Sequence, residues 1–264
     1  MPLISIIMAT FNCEDTLCTA IESIIKQTYK NWELVICDDC STDRTWNILQ
    51  EYKVKYPEKI TLIRNDVNSK LPYSLNQCLK YSKGEYVARM DADDISLPER
   101  LEKQLKYLEQ HSEYDVVGCS MIRFDENGDY DIYYSVEEPN KFTLLKEVPY
   151  CHATIMMRKK AYDSINGYTV SKRTERGQDL DLWFRFYEAG FKGNNLHEPL
   201  YKVYEGREAI KRRKLKFAIY ATWTKLIGFR KLHFPVYNYI YAFVPVVSYF
   251  IPRSLKLSIR RKKA

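Results

Sequence analysis

The chain has 264 residues, of which 45% are hydrophobic and 28% are charged, so it can form one large domain, or one domain with an appendage, around a sizeable core. Its formal net charge of +7 is unevenly distributed: residues 205–264 carry fifteen Lys and Arg against two acidic residues, whereas residues 1–204 carry 26 against 32. This distribution excludes a uniformly basic protein and indicates an acidic body with a basic tail that meets an anionic partner.

The seven cysteines predict no disulfide framework, because their number is odd and their spacing irregular. Residues 1–3 lead directly into a strand-like segment, without the regions of a signal peptide. We therefore expect free thiols and a cytoplasmic location. Cys37 and Cys40 match the C-x-x-C pattern, but the helix start or second ligand pair that a redox or zinc site requires is missing.

The first part of the chain alternates between apolar runs and segments whose apolar residues recur at helical spacing. This alternation is typical of βαβ units with a parallel sheet. The pattern predicts strands over residues 4–9, 32–37, 59–64 and 86–90, and helices after Leu17, around Trp46 and over residues 74–81.

Three of these strands end at residues that suit a ligand, namely Ala9-Thr10, Asp38-Asp39 and Asp91-Ala92-Asp93. Ligands of parallel sheets lie at the carboxyl ends of the strands, so these residues are predicted to share one crevice. Neither G-x-G-x-x-G nor G-x-x-x-x-G-K-[ST] occurs, which disfavours a dinucleotide cradle and a P-loop. Without such an anion-binding loop, a bound diphosphate needs a metal ion for charge compensation.

The stretch Arg89-Met90-Asp91-Ala92-Asp93-Asp94 joins the fourth predicted strand to the next helix. Its neighbouring carboxylates repel one another unless a cation or strong donors lie between them. In an extended chain Asp91 and Asp93 would lie on one side. Such a pair suits Mn²⁺ or Mg²⁺, which keeps waters and takes oxygens from a substrate phosphate. The alternative is a helix-capping turn with Asp94 or Ser96 as the cap.

Asp179 is predicted in the first turn of a helix, where the helix dipole favours an ionised carboxylate, and it is either reactive or only a cap. His152 is either a hydrogen-bonded histidine at a strand start or a polar group near a phosphate or acceptor. Arg176 and Asp181 are candidates for the same contacts, with solvated side chains as the alternative.

The elements predicted in the second part of the chain are a helix over residues 100–110, strands over 115–124, 130–134 and 153–157, a turn at 165–168 and a helix from 176 to about 189.

The end of the chain combines basic clusters with an uncharged block. Residues 207–227 predict a helix with a basic start, and residues 232–252 contain no Lys, Arg, Asp or Glu but include three prolines. Aromatic residues beside basic clusters favour interfacial attachment to an anionic membrane, with a single span or re-entrant hairpin and ordinary core packing as alternatives. Nucleic acid is disfavoured as a partner, because the basic residues flank an apolar block and form no stripe.

Six stretches carry a resemblance: Ile4–Asn12, Ile24–Tyr29, Cys37–Asp43, Lys83–Tyr86, Met90–Asp94 and Gln178–Trp183. Together they resemble the family 2 glycosyltransferases of the GT-A fold, especially bacterial enzymes that build capsule, O-antigen or exopolysaccharide. The match runs over about residues 3–205 and leaves the tail outside.

This resemblance implies an α/β GT-A fold, with a Rossmann-like, mostly parallel sheet between helices on both faces and a helical C-terminal extension. Residues 1–205 are then the catalytic domain, with a nucleotide-binding half (1–95) and an acceptor half (96–205). Residues 206–264 lie outside the resemblance, and their composition predicts a basic, aromatic tail that associates with the membrane. The implied location is peripheral or monotopic, on the cytoplasmic face of the inner membrane.

The resemblance also implies roles at the donor end of the site. Asp39 accepts a hydrogen bond from the uracil ring edge, Ala9 contributes backbone contacts, and Thr10 and Asp38 lie nearby. Lys70 stands where the family pattern usually has glycine, and it adds a cation near the donor.

Asp91 and Asp93 correspond to the D-x-D pair, with Asp93 the firmer metal ligand and Asp91 nearer the ribose. Asp179 corresponds to the general base of the family's E-D motif, in which Gln178 here replaces the frequent glutamate. The resemblance therefore implies inverting transfer of a sugar from a nucleotide sugar, expected to be a UDP-sugar. The Q-x-x-R-W signature of processive synthases is absent, so one sugar is expected per encounter.

The expected acceptor is a hydroxyl of a growing surface glycan, and the tail suits an undecaprenyl-linked one. Two alternatives belong to other functional classes. A nucleotidyltransferase acting on sugar phosphates usually has a glycine-rich, lysine-bearing loop, which is missing here. A catalytically silent membrane-surface binding module is disfavoured by the intact set of Asp39, Asp91, Asp93 and Asp179.

Overall fold

The computed structural model describes residues 1–206 and 214–251. Its first elements are β1 (Ile4–Thr10), α1 (Leu17–Ile25), β2 (Trp32–Asp38), α2 (Thr45–Lys55), β3 (Ile60–Arg64), α3 (Leu71–Tyr81) and β4 (Tyr86–Arg89). The four strands are parallel and lie in the order β3-β2-β1-β4. They are the βαβ units that the alternating pattern predicts.

Strand β1 is central and its backbone is flanked by core on both sides, which explains its continuous apolar run. Ile6 and Met8 pack on one side in a cluster with Leu49 of α2. Ile7 packs on the opposite side with Leu75 of α3. The period of two along the strand therefore divides the core into two layers, one on each face of the sheet.

The second half of the chain widens this sheet. Its elements are β5 (Ile95–Ser96), α4 (Arg100–Gln110), β6 (Val116–Asp125), β7 (Gly128–Tyr133), β8 (Met156–Arg158), α5 (Lys159–Ser164), α6 (Gln178–Glu188) and β9 (Gly193–Tyr204). The sheet continues in the order β4-β8-β6-β9-β5, with β7 paired to β6. Strand β8 is antiparallel to both neighbours, whereas β9 runs parallel to β6. The predicted α/β class is confirmed.

Four segments differ from the sequence-based expectations. The strand predicted over 153–157 is wrong in its first half, because residues His152–Thr154 form a 3-10 turn that Thr154 closes by donating from Oγ1 to the Cys151 carbonyl at 2.9 Å. Residues 91–94 form a turn, with the Asp94 nitrogen 3.5 Å from the Asp91 carbonyl, so the extended chain assumed there is also wrong. Strands β5 and β9 had no counterpart in the predicted pattern.

The tail contains α7 (Leu215–Lys231), a 3-10 helix (Val236–Phe243) and α8 (Val244–Phe250). Helix α7 packs against α6 so closely that a Cβ atom on Gly228 would lie 2.2 Å from the Phe184 ring. Phe229 joins the same aromatic cluster. Part of the tail is therefore ordinary core. The helix start predicted at 207 and the basic residues at 211–213 and 253–263 lie outside the described residues.

Other tail side chains face outward. We call the following the apolar tail residues, all of them exposed: Ile219, Trp223, Val236, Tyr237, Ile240, Phe243, Val247 and Phe250. Within residues 1–206 and 214–251, no helix combines the length and the apolar character that a bilayer crossing requires.

A buried lysine lies at the contact between α7 and the body. Lys225 donates a hydrogen bond from Nζ to the Leu145 carbonyl at 3.0 Å, and burial lowers the pKa of Lys225 to about 8. A lysine in the unfolded chain has a pKa of about 10.4, so the folded state disfavours the charged form and loses stability at lower pH.

We expect Lys225→Met to raise the free energy of unfolding at neutral pH by about 2 kcal/mol, because removal of a buried charge outweighs the lost hydrogen bond. Urea unfolding measures this gain. The gain should be full below about pH 8 and vanish toward pH 10.4, where the wild-type lysine is neutral in both states. Exposed Lys216 is the control on the same helix, and Lys216→Met should change stability by less than about 0.5 kcal/mol. A destabilised Lys225→Met protein would contradict this account.

Candidate active site

The carboxyl ends of β1 and β2 meet where Thr10 and Asp38 are paired in register. Asp38 is buried, and it accepts hydrogen bonds from Thr10 Oγ1 at 3.3 Å, Ser41 Oγ at 2.5 Å and the Ser41 nitrogen at 3.2 Å. The Nε of Arg64 lies 3.2 Å from Asp38 Oδ2. The hydrogen-bonding capacity of Asp38, a predicted donor-site residue, is therefore used to hold the loop after β2. Ala9 precedes this junction and is half-buried.

Asp39 lies in a cradle of hydrogen-bond donors. Its Oδ1 accepts from Asn65 Nδ2 at 2.7 Å and from the Ser69 nitrogen at 2.8 Å, and its Oδ2 accepts from the Lys70 nitrogen at 2.9 Å. The Asp39 nitrogen donates to the Thr10 carbonyl at 2.8 Å. Each carboxylate oxygen accepts about two hydrogen bonds, so Oδ2 keeps the capacity for one further donor at the edge of the crevice.

Lys70 has a backbone φ of +73°, a conformation that residues other than glycine rarely adopt. Two hydrogen bonds hold it there: its nitrogen donates to Asp39, and its carbonyl accepts from the Ser74 nitrogen at 3.3 Å as α3 begins. The glycine usual in the family pattern would adopt this φ without strain. The side chain of Lys70 is exposed beside the Asp39 cradle.

The turn after β4 holds three carboxylates in different environments. Asp94 is buried and accepts a hydrogen bond from a backbone N–H of β9 at 2.8 Å. Burial, and then the charges of Asp91 and Asp93, raise the pKa of Asp94 well above its ordinary value. Helix α4 begins after Glu99 without a side-chain cap, so the alternative in which Asp94 or Ser96 caps that helix is wrong.

Asp91 and Asp93 fit a divalent cation by charge and by chemistry. Both are half-buried, and the repulsion that their charges impose on buried Asp94 is a reason for a cation to bind there. Among the described residues, no group of three or more His, Cys, Asp or Glu side chains is arranged to hold a metal ion. Two carboxylates suit Mg²⁺ or Mn²⁺, which takes further oxygens from water and phosphate. Asp93 and Asp91 are the residues that would hold it.

Asp179 lies in the first turn of α6, after Gly177, whose φ of +108° turns the chain into the helix. Its Oδ1 accepts a hydrogen bond from the Leu180 nitrogen at 2.8 Å. Burial raises the pKa of Asp179 and the charge of Asp91 raises it further, while backbone donors and Arg89 oppose the shift. Charges interact in this way only at short range, so the carboxylates of Asp91 and Asp179 lie near each other.

His152 is buried beneath this crevice. Its Nε2 lies 2.8 Å from the Tyr168 hydroxyl, and its ring meets the Tyr168 and Trp183 rings edge-on. Burial, together with the charge of Arg89, lowers the pKa of His152 well below its ordinary value, so the ring is neutral. These contacts favour the alternative in which His152 is a hydrogen-bonded internal histidine.

Asp181 is buried, so the alternative in which it is solvated is wrong. Its carboxylate accepts from Thr169 Oγ1 at 2.6 Å, Arg173 Nη1 at 2.6 Å and Arg185 Nε at 2.8 Å. These partners leave Asp181 with little capacity to accept a further hydrogen bond from an acceptor sugar. Arg176 is exposed, and its guanidinium lies 5.2 Å from the ring centroid of Phe217 on α7.

The sequence matches the model of glycosyl transferase family 2 over residues 5–165. This chain belongs to that family. A Bacillus subtilis protein named glycosyltransferase EpsE is 46% identical over 264 residues, which cover 99% of this chain and 94% of the relative. The Escherichia coli protein WfaP, named UDP-Glc:alpha-D-GlcNAc-diphosphoundecaprenol beta-1,3-glucosyltransferase, is 30% identical over 248 residues, with 92% and 93% covered.

Solved structures share the fold of this family 2 chain. S. aureus TarS 1–349 in complex with UDP-GlcNAc has a TM-score of 0.70 at 18% identity, and the match covers 93% of this chain and 71% of that chain. The match to another S. aureus TarS structure covers 39% of that chain. Mannosyltransferase PcManGT from Pyrobaculum calidifontis, in complex with GDP-Man and Mn²⁺, has a TM-score of 0.62 at 17% identity, with 100% and 80% covered. The GT-A fold predicted from the resemblance is confirmed.

Two residues that support this family 2 site from the protein interior were not predicted from the sequence. Arg89 contacts Asp91 Oδ1 through Nη2, and the hydroxyl of Tyr201 accepts from the Asp91 nitrogen at 3.1 Å. The sequence does contain a signal for Arg89, because an arginine interrupts an apolar strand pattern there. It contains no such signal for Tyr201, because this residue lies on β9, which the pattern did not predict.

We expect Lys70→Gly to be more stable than Lys70→Ala by about 1 kcal/mol, because only glycine adopts the positive φ without strain. Denaturant unfolding of the two variants measures the difference. Both lack the same ammonium group, so any loss of donor affinity caused by its removal should be equal in both. An alanine variant as stable as the glycine variant would show that the backbone at Lys70 is unstrained.

Proposed function

We propose that this protein transfers one sugar from a UDP-sugar to a hydroxyl of a growing surface glycan, with inversion at the anomeric carbon. The observation that supports the proposal is that the Asp39 cradle and the turn of Asp91 both follow parallel strands next to β1, and that the charge of Asp91 acts on Asp179. Family membership supports glycosyltransferase activity. The name of WfaP supports polysaccharide biosynthesis on a lipid-linked acceptor.

The donor end recognises the nucleotide. Only one donor occupies Asp39 Oδ2, and the proposal assigns its remaining acceptor capacity to the ring N–H of uracil. The three donors of the cradle orient the carboxylate before the ligand arrives, so little ordering is left to the binding step. The ammonium of Lys70 beside this cradle attracts the diphosphate. The UDP-GlcNAc held by the TarS structure supports this choice of donor class.

Asp179 performs the proton transfer. Its carboxylate takes the proton of the acceptor hydroxyl as the hydroxyl oxygen bonds to the anomeric carbon, while the bond from that carbon to the diphosphate oxygen breaks on the opposite face. The raised pKa makes Asp179 a stronger base than an ordinary carboxylate. A divalent cation bound at Asp93 and Asp91 supplies charge compensation for the departing diphosphate. No covalent intermediate on the protein is required.

Two other functions fit this chain less well. Membership of a glycosyltransferase family and the missing glycine-rich loop disfavour a nucleotidyltransferase acting on sugar phosphates. A catalytically silent membrane-surface module would bind a UDP-sugar without turnover. Slow hydrolysis of UDP-sugars in the presence of Mn²⁺, followed by release of UDP, separates this module from the proposed transferase without knowledge of the acceptor.

We expect Asp179→Asn to lower kcat by about 10²–10⁴-fold, because the amide cannot take the hydroxyl proton. UDP release from a panel of UDP-sugars measures turnover, and calorimetry should give a UDP-sugar Kd within about threefold of wild type, since no ground-state contact is lost. Wild-type kcat/KM should fall with decreasing pH already above the ordinary carboxyl range, because the base must be ionised and its pKa is raised. The variant should lack this limb.

Asp163→Asn is the control for nonspecific loss of charge, because Asp163 is an exposed carboxylate on α5 that pairs with Lys159. Near-normal turnover by Asp179→Asn would exclude Asp179 as the base. Donor binding by the wild type without any turnover would instead support the silent module.

The tail is the proposed membrane contact, with residues 1–205 as the catalytic domain and residues 206–264 as a tail that lies on the cytoplasmic face of the inner membrane. The apolar tail residues support this proposal, because monomeric proteins rarely expose so many large apolar side chains together. The basic residues of the tail sequence supply attraction to anionic lipid. This location brings the crevice to a lipid-linked acceptor.

We expect Ile240→Asp to weaken binding to vesicles of phosphatidylglycerol and phosphatidylethanolamine about tenfold, because Ile240 would bury its side chain in the interface. Sedimentation with vesicles measures binding. Val54 is the matched control, since it is 81% exposed on α2 and Ile240 is 73% exposed in the tail. Val54→Asp should bind like the wild type. Equal binding by all three proteins would remove Ile240 from the contact.

A further inference from the structure

Arg89 occupies a strand position whose neighbours are apolar. Side chains alternate along β4, so Arg89 points to the same face as Val87, which packs with Ile7 and Val35 in the core. Arg89 is only 1% exposed. An ionised guanidinium at such a position costs stability unless it is paired and hydrogen-bonded. The partners of Arg89 therefore have to explain its presence.

The guanidinium extends from the core to the floor of the crevice. Nη2 contacts Asp91 Oδ1 and Nη1 contacts the Met90 carbonyl, while Nε has no hydrogen-bond partner among the described residues. The side chain of Asp91 is 39% exposed. The pair thus joins a fully buried cation to a carboxylate that faces the ligand site. Burial of the cation leaves it little screened by solvent.

The charge of Arg89 acts on two further titratable side chains. It opposes the rise in the pKa of Asp179 on α6, and it contributes to the lowered pKa of His152. Asp91 and Asp179 repel each other, as the effect of Asp91 on the pKa of Asp179 shows. The buried guanidinium of Arg89, in contact with Asp91, offsets part of this repulsion.

We propose that Arg89 is a positioning residue, which fixes the carboxylate of Asp91 through a contact made from the protein interior and supplies a resident positive charge beside it. It engages one oxygen of Asp91 and so leaves Asp93 as the principal carboxylate for a divalent cation. This inference rests on the proposed function, because it assigns Asp91 and Asp179 to one reaction.

Arg100 of α4 offers a matched comparison within the chain. It is equally buried, but its Nη2 donates to the carbonyls of Arg89 at 2.8 Å and Ile155 at 3.1 Å, and its Nε donates to Gln104 Oε1 at 3.1 Å. Within the described range it forms no ion pair with a carboxylate. Its hydrogen bonds tie α4 to the sheet, which is a structural role.

The test compares wild type with Arg89→Met, in which a side chain of similar length fills the core without charge. Calorimetry measures Mn²⁺ affinity without donor, and UDP release from a UDP-sugar measures kcat and KM. We expect Mn²⁺ to bind about tenfold more tightly, because a competing cation beside Asp91 is gone. We expect kcat to fall at least about tenfold, with a smaller change in KM, because the two carboxylates are no longer held for the reaction.

Two further variants separate charge and geometry from folding. Arg89→Lys keeps the charge but not the planar fork, so it should show Mn²⁺ affinity within about threefold of wild type while kcat stays reduced. Arg100→Met should lower the thermal unfolding temperature and leave Mn²⁺ affinity unchanged. A purely structural Arg89 would instead behave like Arg100.

Unchanged or weaker Mn²⁺ binding by Arg89→Met would overturn the role of Arg89. If that variant does not fold, Arg89→Lys decides: wild-type Mn²⁺ affinity with reduced kcat supports the role, and wild-type kcat overturns it. Asp93→Ala tests the proposed function independently. Equal Mn²⁺ binding by Asp93→Ala and wild type would refute the metal site itself, whereas loss of binding there, without a change in Arg89→Met, would refute only the role of Arg89.

Discussion

Electrostatic repulsion among carboxylates at one edge of the sheet is the constraint on which the rest of the site depends. Each carboxylate is stabilised in a different way. Asp38 is paired with Arg64, and Asp39 is held by three hydrogen-bond donors. Asp94 is buried with a raised pKa, which favours its neutral form. Asp91 and Asp93 stay partly accessible, so the carboxylates best placed to meet a ligand are those that the fold has not fully neutralised.

The two halves of the chain cooperate in this arrangement. The first half brings the acidic loops together, because parallel strands β1, β2 and β4 end at the same edge. The second half closes the acidic turn, because β9 pairs with β5 and supplies the backbone N–H for Asp94 and the Tyr201 hydroxyl for the Asp91 nitrogen. The acidic turn itself is therefore built by both halves of the chain.

Local patterns predicted what depends on local physics. The four parallel strands and α4 follow from apolar periodicity, and the position of Asp179 in the first turn of α6 follows from the helix start. The strand predicted at 153–157 failed because a threonine closes a turn there, which periodicity does not reveal. Buried Asp181 was misread because its arginine partners, Arg173 and Arg185, act through tertiary contacts. Candidate ligand residues follow from local motifs, whereas the residues that hold them in place act through tertiary contacts.

The tail is coupled to the site by packing. Asp181 of α6 binds Arg173, and Arg173 Nη1 donates to Thr224 Oγ1 of α7 at 3.1 Å. The contact between Gly228 and Phe184 fixes the same two helices against each other. Asp179 lies in the first turn of helix α6, so the proposed base and the proposed membrane contact lie on packed neighbours. A membrane-borne acceptor would then be presented to Asp179 by a rigid contact, and the tail would act as part of the catalytic scaffold in addition to being an anchor.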